Sequence, residues 1–180
     1  METQGGPRLS RLQVIVAPAE RPLEALAAHV RALQREPRPL LYLAADRPYR
    51  TLAAAFHAAG IDTSQIHFLD AVSSIDGKAP DREANVTFVP SPTMLEMMAM
   101  RLEQLASRLG SPHVIIDSLS TLALYSGPGP VQQFSHYVAN RLRARGLAGD
   151  FLVGGTQEGR ALRERIAGYV DREVELEVPA

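Results

Sequence analysis

The sequence LQVIVA, at Leu12–Ala17, is a short and almost wholly apolar stretch. A run of this length and composition predicts a strand of a parallel sheet that helices cover on both faces. Pro18 ends the run, and apolar residues then recur at helical spacing: Leu23, Leu26, Ala27, Val30 and Leu33. One strand followed by one helix is the repeating unit of an α/β fold.

Short β-rich runs and longer helical patterns alternate along the rest of the chain. The patterns predict further strands at residues 40–44, 65–72, 85–89, 113–117, 151–154 and 174–178. They predict further helices at residues 48–59, 92–109, 131–142 and 157–167. Residues 125–130 hold two glycines and two prolines, which predict a turn. We therefore predict an α/β fold, with one three-layer domain over residues 11–180, a mostly parallel central sheet flanked by helices, and a flexible N-terminus at residues 1–10.

The composition excludes several classes of function. The chain has 180 residues and no cysteine, so it has no thiolate nucleophile, cysteine zinc site or disulfide framework. Its 19 basic and 20 acidic residues give a net charge of −1, which lacks the positive field of a nonspecific nucleic-acid-binding or membrane-surface protein. Residues 1–10 contain no apolar signal core, and no stretch reaches the roughly 20 apolar residues of a membrane span. We therefore expect a cytoplasmic protein.

Polar residues follow several of the predicted strands, where a parallel sheet forms its ligand crevice. Asp46 precedes a helix, where its carboxylate could cap backbone N–H groups or take part in catalysis. The Gly154-Gly155-Thr156 turn could form an anion-binding nest, and a plain turn with a threonine cap explains it equally well. The candidate ligand crevice consists of Asp46, Asp117, Ser118, Gly155 and Thr156.

Asp117 closes an apolar run and is followed by the hydroxyl residues Ser118, Ser120 and Thr121. A strand of this form is the Walker B pattern, in which the acid orients a magnesium ion and its water shell. An aspartate that caps the following turn has the same pattern. Asp117 alone therefore does not decide between a metal role and a structural one.

The loop after the first strand lacks the residues that bind phosphate. A phosphate-binding loop has the spacing G-x-x-x-x-G-K-[ST], and that frame falls here at Ala17, Pro22, Leu23 and Glu24. Pro22 has no N–H to donate, Leu23 carries no positive charge, and Glu24 adds a negative one. One like-charge contact at about 4 Å costs on the order of 4 kcal/mol at an effective dielectric near 20. Lys78, the one lysine of the chain, lies in a distant loop and is a poor substitute for the missing cation. Since the frame fails at each of its diagnostic positions, we predict that the protein binds no nucleotide cofactor.

Three stretches and the order of the elements resemble the RecA/KaiC-like branch of the P-loop ATPases over nearly the whole chain. The stretches are Leu41-Tyr42-Leu43-Ala44-Ala45-Asp46-Arg47-Pro48, Ile66-His67-Phe68-Leu69-Asp70 with Ser73-Ser74, and Val114-Ile115-Ile116-Asp117-Ser118-Leu119-Ser120. The resemblance implies that Asp117 is the Walker B acid and that a glutamate after the second strand activates water. Ala44, Ala45 and Asp46 stand near that position, so the chain resembles a degenerate member that keeps the fold and lacks a functional Walker A motif.

The remaining chemistry-bearing residues form no recognisable site. The histidines stand singly and form no H-x-x-x-H pair, so we predict no metal site. No G-x-S-x-G sequence indicates a hydrolase nucleophile. Arg141, Arg143 and Arg145 form a basic cluster that is a solvated helix face, an arginine finger or a docking patch. Without interleaved aromatic residues this cluster does not indicate nucleic-acid binding.

The sequence favours a non-catalytic domain with a degenerate phosphate-binding loop. Such a domain would act in protein interaction or regulation, through a partner protein or its own copies. Two alternatives remain open, because a fold does not by itself assign a function. One is a small-ligand sensor or enzyme that uses the candidate crevice, and the other is a residual ATP-binding protein. We expect no catalytic residue, no bound cofactor, and neither a membrane nor a nucleic acid as partner.

Overall fold

The computed structural model describes residues 11–75, 77, 79 and 83–179, and within them the chain forms seven β-strands and six α-helices. The strands are β1 (Leu12–Ala17), β2 (Leu40–Ala44), β3 (Ile66–Asp70), β4 (Val86–Phe88), β5 (His113–Asp117), β6 (Gly149–Gly154) and β7 (Arg172–Glu175). The helices are α1 (Pro22–Leu33), α2 (Tyr49–Ala58), α3 (Leu95–Leu109), α4 (Leu119–Ser126), α5 (Pro128–Ala144) and α6 (Gln157–Ile166).

The strands form one sheet in the order β4-β3-β2-β5-β6-β1-β7, and each of its strand pairs is parallel. Helices α1 and α2 cover one face, and α3, α4, α5 and α6 cover the other. This three-layer architecture confirms the predicted α/β fold class, with a sheet that is parallel throughout its described strands. Because all strands run the same way, their carboxyl ends form one edge of the sheet.

Strand β1 packs into both layers of the core. All six of its residues are buried, and alternate side chains point to opposite faces of the sheet. Leu12, Val14 and Val16 pack under α3 to α6, whereas Ile15 and Ala17 pack against α1 and α2. The apolar run therefore reflects a central strand that is covered on both sides.

Several element bounds differ from the sequence prediction. Helix α3 begins at Leu95, three residues later than predicted, and β6 begins at Gly149, two residues earlier. Glycine and aspartate are uncommon in strands, so the first two residues of β6 did not indicate one. Strand β7 covers Arg172–Glu175 rather than residues 174–178, and it lies at the edge of the sheet beside β1.

Helix α4 is absent from the sequence prediction. The sequence predicts a turn at residues 125–130, but the chain forms a helix at Leu119–Ser126, which Ser118 caps. Its apolar residues form no single buried stripe, since Leu124 is 82% exposed. The turn consists of Gly127 alone, at φ +82°. Pro128 and Pro130 lie in the first turn of α5, where a missing N–H costs little.

Two predictions fall on residues outside the described part of the chain. These are the flexible N-terminus at residues 1–10 and the distant position of Lys78. Among the residues that the structure does describe, no helix has the length and apolar character needed to cross a membrane.

Candidate functional site

The residues predicted for the crevice lie at the carboxyl ends of neighbouring strands. In the register of the sheet Ala44 pairs with Asp117, and Ala17 pairs with Gly154. Because β2, β5, β6 and β1 are adjacent in that order, the loops that follow them lie side by side. The structure brings five predicted residues to this edge: Asp46, Asp117, Ser118, Gly155 and Thr156.

Asp117 is buried beneath this edge, with 1% of its surface exposed. Its carboxylate accepts a hydrogen bond of 2.6 Å from the Tyr42 hydroxyl, and its peptide bond to Ser118 is cis. Burial raises the pKa of Asp117 to about 6, because a charge is poorly solvated in the interior. The Tyr42 hydrogen bond and the charge of Arg47 lower the pKa, and the charge of Asp46 raises it, without changing that net direction.

Asp46 bonds to two neighbouring side chains and does not cap α2. Its carboxylate accepts a hydrogen bond of 2.6 Å from the Thr121 hydroxyl and pairs with Arg47 at 2.7 Å. The amide of Tyr49, the first residue of α2, donates instead to Asp70 at 2.8 Å. Of the two roles that the sequence left open for Asp46, capping of α2 is therefore wrong, because the carboxylate of Asp70 at the end of β3 accepts the first N–H of the helix.

The serines that follow β5 hold the start of α4 in place. The Ser118 hydroxyl accepts a hydrogen bond from the Thr121 amide at 3.1 Å and caps the helix. The Ser120 hydroxyl accepts from the Gly154 amide at 2.9 Å and so joins α4 to the end of β6. Both hydroxyls thus satisfy backbone N–H groups at the ends of regular elements.

Gly155 and Thr156 form the connection between β6 and α6. The Thr156 hydroxyl accepts a hydrogen bond from the Gly159 amide at 3.2 Å and caps α6. A Cβ at Gly155 would lie 2.9 Å from the Ala17 carbonyl oxygen, so β1 leaves no room for a side chain there. A plain turn with a threonine cap, one of the two interpretations of this sequence, accounts for both residues.

Gly159 is a second glycine that this connection requires. A Cβ at Gly159 would lie 1.9 Å from the Gly154 carbonyl oxygen, a backbone atom that cannot move freely. We expect Gly159→Ala to lower the free energy of unfolding, measured by urea denaturation, by roughly 2 kcal/mol. Gly168→Ala is the control, because nothing lies within 4 Å of its Cβ position. A change of about 0.5 kcal/mol or less is expected for the control, and equal losses in the two variants would contradict the clash.

The loop from β1 to α1 holds the positions at which the phosphate-binding frame falls. Arg21 adopts φ +50°, and Pro22 is the first residue of α1. Leu23 is half-buried and packs against the core formed with α1 and α2. The Arg21 guanidinium binds the Glu24 carboxylate, with Nε 2.8 Å from Oε1, and this bond lowers the pKa of Glu24. The charge of Glu24 is therefore offset within the loop, which weakens the repulsion of anions predicted at this position.

Three side chains for which the sequence predicted no role complete the carboxyl edge: Tyr42, Arg47 and Thr121. A buried tyrosine hydroxyl needs a hydrogen-bond partner, and this need was the available signal for Tyr42. Its partner, Asp117, lies on the neighbouring strand β5. Only the order of the strands, which the sequence does not state, identifies that partner.

A second buried polar cluster lies at the amino edge of the sheet, opposite the crevice. Asp150 is 1% exposed, and its carboxylate bonds to Gln13 Nε2 at 2.8 Å and to His29 Nε2 at 2.7 Å. His113 Nε2 lies 2.9 Å from the same carboxylate, off the direction of a hydrogen bond. Gln13 also accepts a hydrogen bond from Arg172 at 2.6 Å. The cluster therefore links α1 to strands β1, β5, β6 and β7.

The two imidazoles determine the ionisation of Asp150. Burial by itself raises the pKa of this carboxyl, but His113 and His29 more than offset that effect and hold the pKa at about 2. The sequence showed these histidines only as single residues. The fold brings them to one carboxylate, which gives them a structural role.

The arginines of the predicted basic cluster bind neighbouring elements. The pairs are Arg141 with Glu103, Arg143 with Asp171, and Arg145 with Ser107, each at 2.8 Å. They join α5 to α3 and to the segment before β7. A helix face with local ion pairs and hydrogen bonds, close to the solvated-face interpretation, therefore accounts for the cluster.

The comparisons with known proteins bear on the whole fold. The sequence model of a protein family, described as a family of unknown function (DUF7504), matches residues 13–176. The chain belongs to this family. The DUF7504 match extends from β1 to the end of β7, and none of the curated proteins matches the chain.

Among the solved structures similar to this DUF7504 chain is the KaiC-like protein PH0186 from the hyperthermophilic archaeon Pyrococcus horikoshii OT3. The two share 12% sequence identity with a TM-score of 0.63, over 96% of this chain and 74% of that chain. The similarity shows that the chain has the RecA/KaiC-like fold. At this identity it shows the fold alone.

Proposed function

We propose that this chain is a RecA/KaiC-like domain that neither binds nor hydrolyses nucleoside triphosphates and that acts in protein interaction or regulation. The observation that carries this proposal is that the polar groups at the carboxyl edge bond to one another. Asp117 bonds to Tyr42, and the Asp46 carboxylate bonds to Thr121 and Arg47. A magnesium–nucleotide ligand would have to displace these bonds before it formed its own.

The loop after β1 supports the same proposal. Leu23 stands where the phosphate-binding frame has its lysine, and its side chain packs against the core. Pro22 offers no N–H to a phosphate oxygen. The cation of this loop, Arg21, is bound to Glu24. A degenerate loop of this kind lacks the N–H at Pro22 and an unpaired cation, both of which would favour phosphate binding.

An apolar groove offers a surface for protein contact. It lies between α3 and α5, has a volume of about 970 Å³, and exposes Met94, Met100 and Tyr137 at its surface. Contiguous exposed apolar surface is characteristic of interaction sites. Binding of a partner protein through this groove is therefore the function that the described surface supports best.

A second candidate function is a small-ligand sensor or enzyme that uses the crevice. The pKa of Asp117, about 6, favours it, because such an acid can exchange a proton near neutral pH. The burial of Asp117 argues against direct contact with a ligand. We therefore place this candidate second.

Isothermal titration calorimetry with magnesium–ATP tests the proposal. We expect no saturable heat up to millimolar nucleotide and no phosphate release in a parallel hydrolysis assay. A submillimolar Kd would overturn the proposed loss of nucleotide binding and favour a residual ATP-binding protein. In that case, loss of the heat in Asp117→Asn would place the nucleotide in the crevice.

A further inference from the structure

Helices α3 and α5 are bonded together toward their C-terminal ends and leave a groove nearer their N-termini. The Glu103 carboxylate accepts hydrogen bonds from the Tyr137 hydroxyl at 2.6 Å and from Arg141 at 2.8 Å. Farther along, Arg145 bonds to Ser107 at 2.8 Å. The groove of about 970 Å³ lies mainly on the N-terminal side of these bonds.

The walls of the groove are apolar and adaptable. They include the side chains of Met94, Leu95, Met97, Met100, Phe134 and Tyr137. Met94 is 36% exposed and Met100 is 48% exposed. Unbranched methionine side chains adjust to the shape of a partner, which is why they are common at surfaces that bind helices.

Glu96 gives the groove its negative charge, because Arg141 pairs with Glu103 and Arg101 bonds to the lining residue Gln104 at 3.0 Å. Among the described residues that line it, the charged side chains are Glu96 and Glu103, without a lysine or arginine. Glu103 is held by Tyr137 and Arg141, whereas Glu96 lies in the first turn of α3. An occupant with a basic side chain beside Glu96 would complement this charge.

We propose that this groove binds an amphipathic helix of a partner protein, with apolar anchors on one face and a lysine or arginine beside Glu96. The inference rests on the proposed function in protein interaction and specifies the chemistry of the partner. The space between two helices suits the apolar face of a third helix, whereas an extended peptide would pair with a sheet edge. Glu96 and the lack of a lysine or arginine among the described lining residues also disfavour a nucleic acid.

Outside the groove, no described helix of a second copy of this chain offers such a face. The arginine-rich helix α6 buries its apolar residues Leu162 and Ile166 in the core. Leu124 and Tyr125 are exposed at the end of α4, but no basic residue lies near them in the sequence. Apart from α3, where Met100 and Arg101 are both exposed, the described surface therefore favours a different protein as partner.

Selection from a displayed library of short helical peptides tests the inference, with the full chain as target and no nucleotide present. We expect enrichment of amphipathic sequences that combine leucine, methionine or phenylalanine anchors with lysine or arginine. Met100→Asp should weaken the binding of a selected peptide by roughly tenfold or more, because the complex would bury an unpaired carboxylate. Leu124→Asp is the matched control, since Leu124 is an exposed apolar residue outside the groove, and it should leave the affinity unchanged.

Glu96→Lys tests the charge of the partner. It should weaken the binding of the selected basic peptide and strengthen the binding of a peptide in which glutamate replaces the basic residues. Circular dichroism and thermal unfolding check the fold of each variant, and Met94→Asp replaces Met100→Asp if the latter is unfolded.

Several outcomes would overturn the inference. They are a selection that enriches no helical sequence, enrichment of acidic helices, and unchanged binding in a folded Met100→Asp. A dimer in sedimentation experiments that Met100→Asp dissociates would also overturn it, because a second copy would then occupy the groove. If the selection yields no helical peptide and the calorimetric titration shows no nucleotide binding, this inference alone is contradicted. If the selection succeeds and the titration shows nucleotide binding, only the proposed loss of nucleotide binding is contradicted.

Discussion

Replacing Asp150 with asparagine is expected to lower the free energy of unfolding by about 2–3 kcal/mol, because it removes a buried carboxylate that accepts hydrogen bonds. The carboxylate is buried and lies 2.7 Å from His29 Nε2 and 2.9 Å from His113 Nε2. The asparagine oxygen could still accept a hydrogen bond from Gln13, but its NH2 group replaces the oxygen that bonds to His29. Urea denaturation near neutral pH measures the change.

Asp171→Asn is the matched control for this prediction. Asp171 also pairs with a cation, Arg143, and its side chain is 43% exposed. It accepts a hydrogen bond from the Leu12 amide at 2.8 Å, which an asparagine oxygen can also accept. Because solvent screens such pairs, we expect a loss of about 1 kcal/mol or less. Equal losses in Asp150→Asn and Asp171→Asn would show that burial of the cluster is not the cause.

The pH dependence of stability gives the Asp150 prediction a second readout. The pKa of this carboxyl is lowered from 3.8 to about 2 in the folded protein. Its contribution to stability is therefore complete above about pH 4 and is lost as the pH falls toward about 2. Over that range the wild type should lose about 2 kcal/mol more than Asp150→Asn.

Replacing Asp117 with asparagine is expected to have the opposite effect and raise the free energy of unfolding by about 3 kcal/mol at about pH 7.5. Burial raises the pKa of Asp117 from 3.8 to about 6, so the folded protein binds this proton more tightly than the unfolded chain. Stability therefore falls as the pH rises from about 4 to about 6, and it stays lowered above that range. Asparagine removes the charge and keeps an oxygen that can accept from Tyr42.

Two comparisons check the Asp117 prediction by urea denaturation. The stabilisation should disappear at about pH 4, where the carboxyl is protonated in the folded wild type. Tyr42→Phe removes the hydroxyl that bonds to the carboxylate and should destabilise the protein by about 1–3 kcal/mol at about pH 7.5. A loss of stability in Asp117→Asn at both pH values would contradict a cost of burying this charge.

Most strands could be predicted from the sequence because helices cover both faces of the sheet. Strands β1, β2, β3 and β5 consist of buried residues throughout, so they appear as apolar runs. Helix α4 could not be predicted from the sequence, because Leu124 and Tyr125 are exposed and its apolar residues form no helical stripe. This helix of eight residues packs against α5 and β6, and such tertiary contacts stabilise a short helix that its local sequence does not indicate.

The position of the crevice residues could be predicted, whereas their hydrogen bonds could not. Parallel strands bring Asp46, Asp117 and Thr156 to one edge of any such sheet. The partner of Asp117 is Tyr42, which is 75 residues away in sequence and on the adjacent strand. Asp70 reaches α2 because β3 lies beside β2. These contacts depend on which strands are neighbours in the sheet, and local sequence patterns do not indicate that order.

Nuclear magnetic resonance of isotope-labelled protein, titrated with magnesium–ATP, tests most directly whether the loop after β1 binds phosphate. The amides to follow are those of Ala19, Glu20 and Arg21, which precede α1, and of Leu23 and Glu24 in its first turn. We expect no saturable change in their chemical shifts at millimolar nucleotide. Saturable shifts clustered at these amides, with a submillimolar Kd, would place the phosphates against the start of α1 and contradict the proposed loss of nucleotide binding.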